Sequence, residues 1–238
     1  MQRTLLPFVG LVGALSVSAQ WFGPSPYLAL ADSPFSTGGY SSYFHLENFE
    51  DGLLNSPGLT ITPVSGPGFV YTNPFNGDSV DEDDGAIDGS GLGRFSYYAP
   101  GPTQIVRLGF NAGVLGQLPT DVGFVWTDGM AGTLTVRAYD GSNSLISMLL
   151  ASVGTLPNSY VGETDEDRFI GFRSPSGISR LEVTVNPAAW IEMDHVQYGF
   201  TPVTTPVPES STWAAGVLLL GLGAAARWHR QRNRSATA

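Results

Sequence analysis

The chain has 238 residues, with eleven arginines, no lysine, 21 acidic residues and no cysteine, and a formal net charge of −10. The absence of cysteine excludes a disulfide framework and any thiolate metal site. Between Asp32 and Pro206 six arginines face twenty acidic residues, a formal charge of −14. That argues against nucleic acid, whose binding needs basic patches to replace counterions.

Met1-Gln2-Arg3 followed by the apolar run from Leu5 to Val17 has the form of a secretory signal. Two small-residue cleavage sites follow, after Val17-Ser18-Ala19 and after Ala29-Leu30-Ala31. The first lies at the usual distance from the apolar run and is narrowly favoured. Residues 1–31 therefore read as a signal region, and residues 32–200 as one domain, long enough for a proper core.

Within that domain, short β-branched and aromatic runs separated by Gly and Pro predict an all-β fold. In chain order the expected strands are Phe44–Phe49, Gly68–Tyr71, Gly93–Tyr98, Ile105–Phe110, Val122–Trp126, Thr133–Tyr139, Leu145–Ser152, Arg168–Arg173, Ile178–Val185 and Trp190–Tyr198. Leu134, Val136 and Ala138 alternate with Thr133, Thr135 and Arg137; Leu181, Val183 and Val185 alternate with Arg180, Glu182 and Thr184. Such period-two runs keep one face on a core and one in water. Asp140-Gly141-Ser142 reads as a hairpin turn. No convincing internal helix interrupts the series, so the expected architecture is a two-sheet antiparallel β-sandwich of jelly-roll type.

Three segments could carry chemistry. The densest acidic stretch runs from Asp78 to Gly91 and contains Asp81, Asp83, Asp84 and Asp88. Oxygen donors on a Gly-rich loop suit Ca²⁺, although the spacing is not that of an EF-hand. The other two segments are His45-Leu46-Glu47-Asn48-Phe49-Glu50-Asp51-Gly52 and the final strand, Ile191 to Gly199. In that strand Ile191 and Met193 share one parity, Val196 and Tyr198 the other, which predicts a bulge at Asp194-His195. The exported part has two histidines that could serve in catalysis, His45 and His195, with no Gly-x-Ser-x-Gly elbow and no His-Glu-x-x-His motif. The expectation is a protein that is not an enzyme. Trp126, Trp190, Tyr97, Tyr98 and Tyr139 are candidate sugar-stacking rings.

Thr201 to Pro208, with three Thr and three Pro, reads as a stiff linker, and residues 201–209 hold it together with Val207-Pro208-Glu209. Residues 210–238 contain the uncharged run Trp213–Ala226 and a basic end, Arg227, Arg230, Arg232 and Arg234. Fourteen helical residues span only ~21 Å, against roughly 30 Å of hydrocarbon. Ser210 to Thr212 and Trp228 bring the helix close to a minimal transmembrane span. The arginines keep its end cytoplasmic and leave the domain outside.

Two resemblances follow from these residues. Val207-Pro208-Glu209-Ser210, the apolar run and the arginine cluster resemble the PEP-CTERM sorting signal of exopolysaccharide-producing Gram-negative bacteria, with Ser210 in place of the usual second proline. The resemblance implies export, recognition by an exosortase, removal of the helix after transient anchoring in the inner membrane, and residence in the envelope, outer surface or extracellular matrix. Phe49-Glu50-Asp51-Gly52 and the closing strand resemble the first and last strands of galactose-binding-like carbohydrate-binding modules. That resemblance implies a structural Ca²⁺ held by Glu50 and Asp194, with Asp51 a further candidate; the acidic loop, with Asp81, Asp83, Asp84 and Asp88, is the alternative set that the residues themselves offer. It also implies polysaccharide as a partner. The functional expectation is an exported non-enzymatic surface or matrix protein, with a secreted polysaccharide-active hydrolase or lyase as the alternative, and with a permanent membrane anchor as a second reading of the tail.

Overall fold

Alternation of apolar side chains decides where the strands lie. In the computed structural model, which describes residues 18–201 apart from 36–38, 76, 102–104, 128–131, 154–161 and 187–189, together with Leu222 and Arg227, twelve strands are described. They are β1 (Gln20–Pro26), β2 (Phe44–Glu47), β3 (Leu59–Pro63), β4 (Phe69–Tyr71), β5 (Ser96–Ala99), β6 (Ile105–Phe110), β7 (Asp121–Trp126), β8 (Gly132–Tyr139), β9 (Leu145–Val153), β10 (Arg168–Arg173), β11 (Arg180–Asn186) and β12 (Ile191–Gly199). Ten stand where the sequence placed them, with ends moved by a few residues.

The other two were missed for identifiable reasons. β1 carries Gly23, Pro24 and Pro26, and a register shift between Phe22 and Ser25 accommodates them against β10. Pro is tolerated in a sheet at such an edge, and β1 is an edge strand. The sandwich thus begins at Gln20, not at residue 32 as expected. β3 is only five residues long and ends in Pro63, yet Leu59 and Ile61 are buried while Thr60 and Thr62 are exposed. A four-residue α-helix, α1 (Ala112–Leu115), is capped by Asn111, whose side chain accepts from the Gly113 N–H.

All pairings are antiparallel. One sheet has the order β1-β10-β7-β12-β5-β4, with β2 also pairing β12; the other has the order β3-β6-β11-β8-β9. The chain crosses between the sheets at every step from β2 onward except β4 to β5 and β8 to β9. Asp140 closes the β8–β9 hairpin by accepting the N–H groups of Ser142 and Ser144. The main core lies between the sheets: Leu108, Leu134, Val136, Leu181 and Val183 meet Phe124, Trp126, Ile170, Phe172 and Met193, all fully buried. Val17–Val203 forms a unit of its own.

A second, smaller cluster matters more for function. Tyr27, Phe35, Val80, Val125 and Phe169 are all fully buried. Val125 and Phe169 are register partners between β7 and β10, on the face of the larger sheet turned away from the main core. Two connecting segments, one before β2 and one between β4 and β5, therefore cover that outer face. The signal segment up to residue 17, the motif Val207-Pro208-Glu209 and the arginines Arg230, Arg232 and Arg234 lie outside the described residues. Arg227 is described, in a helical conformation and exposed. Among the described residues no helix is long and apolar enough to cross a membrane.

Candidate functional site

The site is built from the middle of β12 outward. All nine residues of this strand are buried, because the main core lies on one side and the covering segments on the other. Ile191, Met193, Val196 and Tyr198 all face the main core. Both parities can do so only if the strand is irregular between them, and the pairing with β7 shifts register between Asp194 and Gln197. His195 takes a positive φ of 43° there. The expected bulge therefore exists, and it turns Asp194 and His195 together toward the covering segment.

Around that bulge runs a closed polar network. The Asp194 carboxyl accepts from the Ser79 hydroxyl at 2.6 Å, from the Val80 N–H at 3.3 Å and from the His195 N–H at 2.6 Å. His195 Nε2 lies 3.1 Å from both Asp83 oxygens, and its Nδ1 lies 2.9 Å from the Tyr27 hydroxyl. Gln197 donates to the same hydroxyl at 2.8 Å and accepts from Ser33. Ser79 also stands 2.7 Å from Asp83. One hydroxyl carries one proton, so Ser79 cannot donate to both carboxylates at once. The balance is restored if the two acids share a proton. Burial, and then the charge of Asp83, push the Asp194 carboxyl well above its usual range. Burial opposes ionisation of Asp83 too, but the hydrogen bond and charge of His195 outweigh it and hold that carboxyl down. The opposite directions favour the shared proton on Asp194 and the charge on Asp83.

Asp83, Asp194 and His195 bring their ligand atoms within 4.8 Å of one another, the one such group of three among the described residues. Two carboxylates and an imidazole suit a borderline cation better than Ca²⁺. In this geometry, however, each of those groups already serves another as hydrogen-bond partner.

The sequence-selected acids separate into different roles. Glu50 accepts from the Phe95 N–H at 2.8 Å and pairs with Arg94 at 3.4 Å. Burial raises its pKa, with the charge of Asp83 adding to it; Glu50 borders Asp83. Asp51 is exposed and caps its own turn, accepting from the Leu53 N–H and the Asn55 amide. Asp81 is buried and accepts the N–H groups of Asp88, Gly89 and Ser90 and the Thr164 hydroxyl. It organises the acidic loop. Asp84 and Asp88 are exposed. Glu47, which the sequence did not single out, does for the neighbouring loop what Asp81 does here, accepting from the N–H groups of Phe49, Asn55 and Ser56. Ser79 and Tyr27 were likewise missed, since nothing local marks them.

The aromatic candidates divide by burial. Trp126 and Tyr97 are core residues. Tyr139 lies under the Arg180 guanidinium, 3.8 Å from ring centroid to Cζ, and donates to Glu182. Trp190 and Tyr98 are half-buried. Tyr98 belongs to a group that the sequence did not assemble. Phe69 pairs with Tyr98 across β4 and β5, and Tyr71 pairs with Ser96. The three rings share the outer face at the sheet's edge, with centroids 5.4 to 6.3 Å apart. Phe69 is 44% exposed. Asn73 donates to the Tyr71 hydroxyl at 3.1 Å, and Glu192 is the register partner of Tyr98 on the other side.

No family model matches the chain, and no curated protein matches it. Several solved structures are similar in fold. One is the K1 adhesin domain of Lys-gingipain from Porphyromonas gingivalis W83, at 14% identity and a TM-score of 0.42, covering 67% of this chain and 99% of that one. Another is the C-terminal family 22 carbohydrate-binding module of Clostridium thermocellum Xyn10B, at 17% identity and 0.35, covering 72% and 98%. A third is TmCBM61 in complex with β-1,4-galactotriose, at 12% identity and 0.33, covering 64% and 94%. At these values the likeness carries no argument about what this chain does.

Proposed function

We propose that the chain is an exported, non-enzymatic surface or matrix protein whose sandwich binds polysaccharide at the β4–β5 edge. The observation that carries this reading is the outward-facing group Phe69, Tyr71 and Tyr98, with Phe69 44% exposed on a sheet edge. Aromatic rings left in water cost free energy unless an apolar partner covers them. The flat C–H face of a sugar ring is such a partner. A protein–polysaccharide mixture separated by native affinity electrophoresis tests it. The full chain should be retarded by a soluble matrix polysaccharide, and Phe69→Ala with Tyr98→Ala should lose roughly ten-fold or more in affinity, in keeping with the ~1–3 kcal/mol of a stacked ring. Equal mobility of wild type and double variant in every gel would end the proposal.

Burial supports the non-enzymatic side of the reading. Tyr27, His195 and Asp83 have the residue types of an acid–base relay, but Tyr27 is fully buried and His195 is 2% exposed. His45 stacks between Tyr43 and Tyr198, at 5.5 and 5.2 Å, and burial lowers its pKa.

Processing is the other half of the proposal. Val207-Pro208-Glu209, the apolar run and the arginine cluster support sorting by an exosortase. At the other end, cleavage after Ala19 leaves Gln20, the first residue of β1, as the new terminus. Cleavage after Ala31 would remove β1 and Tyr27, which is buried and hydrogen-bonded to Gln197 and His195. Intact-mass measurement on protein from a sorting-competent host should give a species that starts at Gln20 and lacks Trp213 to Ala238. A mature mass that still includes the arginine-rich end would leave a plain membrane anchor.

A further inference from the structure

A second acidic grouping lies a short way from the Asp83–Asp194–His195 network and plays no part in the reading above. Asp167 precedes β10 and is fully buried, and neither of its carboxylate oxygens has a hydrogen-bond partner among the described residues. The register that pairs Arg168 with Trp126 puts Thr127 opposite Asp167 at the end of β7. Thr127 is also fully buried, and its hydroxyl also lacks a partner. Asp78 is 1% exposed, Glu166 4%. Asp81 reaches the same place through Thr164, at 3.1 Å. Segment 162–167 is held against the acidic loop by the Gly91 N–H to Gly162 carbonyl bond and the Ser90–Glu163 bridge.

The nearby cation does not neutralise this charge. Arg168 turns its guanidinium to the backbone carbonyls of Asp165 and Asp167, at 2.8 Å each. Arg173 pairs with Asp121, and Arg94 with Glu50. Burial drives the Asp167 pKa far up, and the strongest charges acting on it, Asp78, Glu166, Asp194 and Asp81, all push the same way. A buried carboxylate with no donor among the described residues, and with like charges as the strongest ones acting on it, is costly unless a cation joins it. Thr127 is the independent pointer, because a buried hydroxyl left without a partner among the described residues, beside that carboxylate, offers an oxygen lone pair to the same occupant.

We propose that Asp167, Asp78 and the Thr127 hydroxyl hold a hard divalent cation of the Ca²⁺ class between the end of β7, the start of β10 and the acidic loop. The donors are all oxygen and of mixed charge, which Ca²⁺ accepts readily and at variable coordination number. No imidazole enters the set. The ion ties the loop that begins at Asp78 and the segment before β10 to the outer face of the larger sheet. It therefore acts on the covering layer and not on the meeting of first and last strands. The inference does not rest on sugar binding, and either can fail without the other.

Thermal melts of the full chain, stripped with EDTA and then titrated with CaCl₂, test it. Binding to the folded state alone raises the melting temperature by mass action, by several degrees at a hundredfold excess over the dissociation constant. Asp167→Asn should abolish that rise. The same variant should melt above wild type in EDTA, because it removes an acid whose ionisation the fold opposes, and below wild type in Ca²⁺, so the two orders cross. Thr127→Val, nearly the same shape, should fold as wild type and shift the Ca²⁺ titration about ten-fold to higher concentration; it decides the matter if Asp167→Asn does not fold. A wild-type melt indifferent to Ca²⁺, with no calcium found by elemental analysis, overturns the proposal. So does a Ca²⁺ response that survives Asp167→Asn and Thr127→Val but disappears in Asp83→Asn, which would put the ion at the His195 network.

Discussion

Replacing Asp81 by Ala should lower the melting temperature of this protein by about 10 °C, more than any other single change in its acidic loop. The carboxylate accepts three backbone N–H groups, of Asp88, Gly89 and Ser90, and the Thr164 hydroxyl, from a position only 1% exposed. Hydrogen bonds to charged groups are worth ~1.5–3 kcal/mol each, and orphaned donors cost a further share. The four are not additive, because the loop can open and let water serve some of them. A net loss of about 3–5 kcal/mol is therefore expected, at ~2–4 °C per kcal/mol for a domain of this size. Asp84→Ala is the control: that residue is exposed and accepts only from the Ala86 N–H, so its replacement should stay within about 0.5 kcal/mol. Calorimetry in EDTA keeps cation binding out of the comparison. If the two variants melt within a degree or so of each other, the loop is held by something other than Asp81.

Asp194 should show the second large effect, and one that depends on the replacement. Asp194→Ala leaves the Val80 N–H and the His195 N–H without their acceptor in a fully buried place, and leaves the Ser79 hydroxyl to Asp83 alone. A loss of about 2–4 kcal/mol follows. Asp194→Asn keeps an acceptor for those donors and offers an amide hydrogen where the protonated acid offered its own, so it should cost about 1 kcal/mol or less. The pH dependence distinguishes the two explanations of that difference. The folded pKa of Asp194 lies above its usual 3.8, so its contribution to stability is fully present below 3.8 and fades as pH rises through the folded value. Asp83 runs the other way: its folded pKa is lowered, so its contribution is present above the unfolded value and is lost as pH falls through the folded one. In EDTA, Asp194→Asn should therefore gain on wild type as pH rises, and denaturant titrations at several pH values measure it. Parallel pH profiles for wild type and Asn would mean that Asp194 carries no shared proton.

Much of the sandwich could be read locally. In β8 and β11 the period-two alternation of Leu134, Val136, Ala138 and of Leu181, Val183, Val185 is the direct imprint of one dry and one wet face, and each of these residues is buried. The parity change between Met193 and Val196 announced the bulge in β12. β1 and β3 escaped because Pro and Gly weaken a strand signal that only an edge position tolerates. The acidic loop was visible as a dense run of charge, but its members have unlike roles. Asp81 organises backbone, Asp83 pairs with His195, and Asp84 and Asp88 face water. Nothing in the order of letters separates them, because the difference lies in which donors surround each carboxylate. In the second acidic run, Glu163 to Asp167, nothing in the letters marks Asp167 as the one that folding buries.

What the sequence determined by itself is whatever depends on neighbours a few residues away: the all-β class, most strand positions, the hairpin at Asp140, the bulge at Asp194 and the three-part pattern of the tail. What only the tertiary structure decided depends on residues far apart in the chain. Tyr27, Ser79, Asp83 and His195 meet across as many as 168 positions, Phe69 joins Tyr98 through strand register, and Asp167 meets Thr127 because β10 lies antiparallel to β7. Burial and charge act through space, so the role of each acid is set by the water that folding takes from it and by the donors, or lack of donors, that folding puts in that water's place.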